Sequence, residues 1–338
     1  MPFAALAPDG AAVGLLYILA FSLFIYGIKL GTHPTTARRG NGLAAVGMGV
    51  AVVTTLLQRG IGNWGLIIGG IVVGSLIGAF ASKRVKMTEM PQMVALYNGL
   101  GGGAIALIAW SEYRDWVHIN DVVSGKGELT EKLFEGSHLA GSVSQSTFEL
   151  SLHVPLEVLI PTLLAMVVGS VSFWGSNIAF GKLQELISGK PISLGKLQLP
   201  VQGLIGLIAV ASAVAIVAEP QNELYMIALL VAAGIFGIML VLPIGGADMP
   251  VVISLLNPFT GLAAAAARLA LENPALIVAG MIVGASGPLL PQQMANAMNH
   301  TIPRLILGGF GGRGEAVAAG SPRPGCGTDR STPAARSP

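Results

Sequence analysis

Two acids in this chain are followed by the same short signature. Glu89-Met90-Pro91 leads to Asn98 with Gly99 behind it, and Asp248-Met249-Pro250 leads to Asn257 with Pro258 behind it. In both segments the amide stands nine residues past the acid. A carboxylate can exchange protons with solvent, whereas an amide cannot titrate and can only donate, accept and orient water. The pattern therefore suits a path in which Glu89 and Asp248 meet solvent while Asn98 and Asn257 hold a polar point deeper in. The plain alternative is that both amides are interhelical hydrogen-bond glue, worth about 0.6 kcal/mol each.

Depth follows from the elements that must carry these residues. Proline near a helix start removes an N–H that would be orphaned there, and a carboxylate favours the positive end of the helix dipole, so each signature begins a helix. Nine residues at ~1.5 Å rise put each amide roughly 13 Å into an apolar layer about 30 Å thick. Both are expected near the midplane, facing each other across a gap that water can bridge. Ser254 lies just before Asn257 and joins the candidate path.

Two further stretches offer polar atoms at depth. Gly169-Ser170-Val171-Ser172-Phe173-Trp174-Gly175-Ser176-Asn177 permits tight helix contact, and its Ser170, Ser172, Ser176 and Asn177 are equally able to hold water. Gly284-Ala285-Ser286-Gly287 precedes Pro288 and Pro291, which should bend the helix that contains Ser286. Arg268 and Glu272, four apart, read as a surface ion pair. His118, His138 and His153 have no metal-site spacing, and a single cysteine, Cys326, excludes an intrachain disulfide or a cysteine metal cluster.

With 53% hydrophobic and 11% charged residues and 46 glycines, the chain is polytopic membrane protein by composition. Apolar runs predict an all-α bundle of about nine transmembrane helices, near 11–30, 42–58, 62–82, 90–110, 155–181, 199–218, 222–243, 250–271 and 274–297. Of the 19 Lys and Arg, only Arg59, Arg114, Lys126, Lys132 and Arg268 fall on one side of that arrangement. The bias places the N-terminus outside and the C-terminus in the cytoplasm. Both signature helices then start at the cytoplasmic face. Residues 112–151 read as an external loop with an amphipathic patch at Leu129–Phe134, and the segment Leu242 to Ala247, with Pro243 and paired glycines, reads as a hinge. Residues 1–312 form the expected membrane domain, and 313–338, rich in Gly, Ala, Ser, Pro and Arg, a disordered tail. A net charge of +2 gives no reason to expect nucleic acid.

Several strings, in order, resemble the membrane part of the beta subunit of proton-translocating NAD(P) transhydrogenase. They are Lys86 to Leu96, Asn177 to Leu183, Gly245 to Asn257 and Gly284 to Gly287, within a resemblance over roughly residues 12–312. The resemblance implies hydride transfer between NADH and NADP coupled to proton movement toward the cytoplasm, in the cell inner membrane. It implies a partner alpha subunit holding NAD(H), and a homodimer of the whole complex.

By the same resemblance Asn257 matches a polar residue of the proton path and Asp248 an acid at its cytoplasmic mouth. Asn98 stands where some relatives place a histidine, so the titrating group is expected elsewhere, on a partner-subunit histidine near Asn98. Ala295-Asn296 replace an expected Cys-Lys pair. An NADP-binding domain is implied after the last helix. Residues 313–338 are too few for a βαβ unit, which needs about 30. The expectation is a chain that binds no cofactor itself, either truncated or frame-shifted, or served by an NADP-binding domain on another chain. From the residues alone, a secondary transporter with a midplane polar site, or a non-catalytic structural membrane subunit, remains open.

Overall fold

The computed structural model describes residues 10–58, 62–126, 156–219 and 222–271, and beyond these residues 280, 283, 284, 287, 291, 292, 294 and 296. Within them all the regular secondary structure is helical. In order come α1 (Gly10–Gly31), α2 (Ala37–Leu56), α3 (Trp64–Arg84), α4 (Met90–Lys126), α5 (Leu156–Leu183), α6 (Gln198–Ala218), α7 (Glu223–Val241) and α8 (Met249–Leu271). Seven of these eight are long and apolar enough to cross a membrane; α2, which opens Ala37-Arg38-Arg39, is the exception. Most of the expected ninth helix lies outside the described residues, as do the Leu129–Phe134 patch, His138, His153, Glu272, Ser286 and the tail.

The two signatures fold alike. A one-turn 3-10 helix, Met87–Glu89 or Gly246–Asp248, ends on the acid, and the α-helix starts at the methionine, with proline second. At both places the missing proline N–H falls in the first turn, where no intrahelical acceptor is available anyway.

One boundary differs from expectation. α4 does not stop near residue 110 but continues to Lys126, taking in the first part of the expected external loop. The residues after Trp110 are polar, which ends an apolar run but not a ladder of backbone hydrogen bonds.

α5 is the central helix. It packs against α4, α7 and α8, while α6 packs mainly on α7. The seams are made by small residues that let backbones touch, the usual basis of helix association in lipid. A Cβ added at Gly102 of α4 would stand 2.9 Å from the carbonyl oxygen of Gly169 on α5, and one added at Gly169 would stand 2.7 Å from the carbonyl oxygen of Gly102. On α5's other side, a Cβ at Gly237 of α7 would meet the Val171 carbonyl oxygen at 2.5 Å. Among the residues beyond α8, Gly280 lies against Gly261 of α8.

α1 and α2 pair through a similar contact, Gly27 against Gly40, with Tyr17 Oη and Thr55 Oγ1 2.9 Å apart. Among the described residues neither this pair nor α3 packs extensively on the α4–α8 bundle, and α3 has no buried residue.

At the end of the bundle where α4 and α8 begin, α5 and α7 finish, and the chain is stitched across. Lys182 of α5 is 2% exposed and donates from Nζ to the carbonyl oxygens of Leu242 and, at 2.8 Å, Ile244. Ile192 N donates to Leu242 O at 3.1 Å, and Gly246 N to Gly189 O at 2.8 Å. Gln92 of α4 donates from Nε2 to Leu183 O at 2.8 Å. Lys182, one residue past the expected end of its helix, is instead enclosed in the last turn of α5, where it bonds the Leu242 and Ile244 carbonyls just beyond the end of α7.

Candidate functional site

Asn98 is 8% exposed and sits where α4, α5 and α8 meet. The small residues around it make the approach possible: a Cβ at Gly99 would lie 3.2 Å from Ser176 Cβ, and one at Gly102 would lie 3.0 Å from Ser172 Cβ. Asn98 Nδ2 donates to Ser176 Oγ at 2.9 Å and to Ser172 Oγ at 3.3 Å. These serines are one turn apart on α5 and wholly buried. Ser172 Oγ is in turn 2.5 Å from Thr260 Oγ1 of α8.

Proton bookkeeping gives this chain a direction. Thr260 Oγ1 donates to Leu256 O at 3.2 Å, which uses its single proton. Ser172 must then donate to Thr260 while accepting from Asn98. Ser176 accepts from Asn98, and no acceptor for its own proton stands among the described residues. Asn98 Oδ1 is buried with no hydrogen-bond partner among the described residues. Among the described residues, then, neither the Ser176 hydroxyl proton nor the Asn98 carbonyl oxygen has a partner. Leaving such an acceptor unsatisfied costs about 1–3 kcal/mol, so this is where a water would be held.

The other predicted residues are placed differently. Asn257 does not meet Asn98: it is exposed on the surface of this chain, and Thr260, roughly 60° around α8 from it, takes the inward position. Ser254 is half-buried and its hydroxyl donates to Val251 O at 2.8 Å within its own helix. Asn177 likewise returns its amide to Phe173 O at 2.8 Å. Glu89 and Asp248 are half-buried at the start of their helices, and Glu89 Oε2 accepts from Lys86 N at 3.4 Å. Ser286 lies outside the described residues. Thr260 was missed in the sequence because a threonine inside an apolar helix commonly returns its hydroxyl to its own backbone; the only hint was its place one turn past Leu256, on the helix's inner face.

Long apolar helices closed around a polar, non-titrating cluster define an integral membrane protein with an interior hydrogen-bond site. The comparisons make the class specific: residues 13–331 match the family model of the NAD(P) transhydrogenase beta subunit, and the chain belongs to that family. It is similar to the NAD(P) transhydrogenase subunit beta of Rhodospirillum rubrum, 38% identical over 319 residues, which are 94% of this chain and 61% of that protein. A second Rhodospirillum rubrum protein of the same description matches with the same identity and coverage. The chain thus spans about 61% of the length of the curated relatives it matches.

Proposed function

We propose that the chain is the proton-conducting membrane part of a transhydrogenase, coupling hydride transfer between NADH and NADP to proton movement across the cell inner membrane. In this reading it works with an alpha subunit in a dimeric complex, and NAD and NADP are held by nucleotide-binding domains outside residues 1–312. The observation that carries the reading is Asn98 Oδ1, without a partner among the described residues, on the amide that bonds Ser172 and Ser176 and through Ser172 reaches Thr260. Such a cluster can fix a water and pass a proton along oriented oxygens, but no member binds a proton near neutral pH. The titrating group is a histidine of the partner subunit that reaches this site beside Asn257. Glu89 and Asp248 exchange the proton with the cytoplasm.

Coupling runs through the turn between α7 and α8. That turn carries Asp248 and is gripped by Lys182 and by the loop containing Gly189 and Ile192. A nucleotide-driven shift at this end would tilt α8 and, through Thr260, open or close the hydrogen-bond chain.

The test is the complex reconstituted in liposomes with its alpha subunit and nucleotide domains, read as acidification driven by hydride transfer. Asn98→Leu and Thr260→Val are each expected to slow proton-coupled turnover by about tenfold or more, as loss of a buried hydrogen bond of 1–3 kcal/mol would. Coupled turnover at the original rate in both variants would refute the assignment.

A further inference from the structure

Glu112 is a carboxyl that the site described above does not use. It is only 6% exposed, although the sequence places it at the start of an expected external loop. The continuation of α4 brings it inside. Asn98, Gly102, Ile105, Ala109 and Glu112 follow at spacings of four and three, a single stripe down one face of α4. Ala109 and the adjacent Tyr113 are buried with Leu159 and Leu163 of α5, Met226 and Leu229 of α7, and Ala266 and Ala267 of α8. Glu112 therefore stands on the bundle side of α4, about 21 Å along the helix from Asn98 and about 33 Å from its start. That puts it at the opposite boundary of the apolar layer from Glu89 and Asp248.

Among the described residues no cation pairs with it. The neighbouring Arg114 is paired with Glu223 of α7 at 3.1 Å, and both of those side chains are more than half exposed. No hydrogen bond or ion pair joins Glu112 to any described residue. Among the described side chains the other ionisable groups at this end are Asp115 and Tyr113 on α4, Glu157 at the start of α5, Glu219 after α6, and Tyr225 on α7; the side chains of His118, Asp121 and Lys126 on α4 and Arg268 on α8 lie outside the described residues. Enclosing an unpaired carboxyl costs free energy that an apolar residue would not, so packing alone gives no reason for glutamate here.

We infer that Glu112 is the proton-exchanging carboxyl at the outer mouth of the Asn98 site. This rests on the proton-path reading above. The carboxylate takes a proton from the outer solution, forming one O–H bond, and gives up the same proton inward, breaking it. Glu112 thereby does at one membrane face what Glu89 and Asp248 do at the other, with the non-titrating amide and hydroxyls between them.

The experiment compares Glu112→Gln, Glu112→Asp and Glu112→Leu in the reconstituted complex, with the pH of each membrane face varied in turn and thermal unfolding measured alongside. Expected is a loss of coupled proton movement of at least about tenfold in the Gln and Leu variants, with the dependence on outer-face pH gone and the dependence on inner-face pH kept. The Asp variant keeps both dependences, and the Leu variant unfolds at the same temperature or higher. A Gln variant with unaltered outer-face profile and rate overturns the inference. If Asn98→Leu is damaging while Glu112→Gln is silent, this inference alone falls. If Glu112→Gln flattens the outer profile while Asn98→Leu is silent, the amide site falls, and with it the link from Glu112 to Asn98.

Discussion

Gly169→Val is expected to prevent α4 and α5 from closing, with little folded chain recovered from the membrane. A Cβ at that position would stand 2.7 Å from a backbone carbonyl oxygen of Gly102, with Ala106 N at 3.0 Å and Ala106 Cβ at 3.1 Å. None of these atoms ends a flexible side chain, so the clash can be relieved only by moving a whole helix. Overpacking typically costs about 1–3 kcal/mol where side chains can yield, and more where they cannot. The same displacement pulls Asn98 from Ser172 and Ser176, so coupled turnover should vanish along with stability. Gly74→Val on α3 is the matched control, because nothing lies within 4 Å of a Cβ there. Thermal unfolding in detergent and the yield of folded chain measure both. Equal stability of the Gly169 and Gly74 variants would show that the α4–α5 seam is not a backbone contact.

The second large effect is expected at Lys182. Its ammonium lies against two carbonyl oxygens at the C-terminal end of α7, where the helix dipole is negative and an enclosed cation is favoured. Lys182→Glu would set a buried carboxylate against those oxygens with no partner, a change of about 3–5 kcal/mol or more, and is expected to abolish accumulation. Lys182→Met removes the charge without reversing it and costs about 1–3 kcal/mol. That variant should fold, with amide exchange at Ile192 and Gly246 faster by about tenfold or more, because both amides are tied to the same turn. Hydrogen exchange resolved to this segment checks it. Unchanged protection in Lys182→Met would mean that the turn is held without the lysine.

The helices were legible because long apolar runs between charged or Pro-containing breaks have few alternatives in a membrane. Asn98 and Ser176 were legible for a related reason: a polar atom at that depth must find a partner. Rotation about a helix axis was not legible. Asn257 and Thr260 lie close enough around α8 that only knowing its neighbours decides which faces inward, and the neighbours chose Thr260. Nor could Glu112 and Lys182 be recognised as interior, since a charged residue at the end of an apolar run reads as the end of the helix. At Lys182 backbone carbonyls supply the missing solvation, a detail no hydropathy profile contains.

The glycine seams on two sides of α5 also decide what kind of movement the bundle allows. Ser172 and Ser176 look like two notches, four residues or about 6 Å apart, past which the Asn98 amide could step if α4 slid lengthwise. Backbones pressed together at Gly102 and Gly169, and again at Val171 and Gly237, would have to part before either helix slid by that much. Such contacts behave as fulcrums. The low-cost motion is therefore a rocking of neighbouring helices about α5, by which a few degrees at the Lys182 end lengthens or shortens the bonds around Asn98 without changing which atoms are partners.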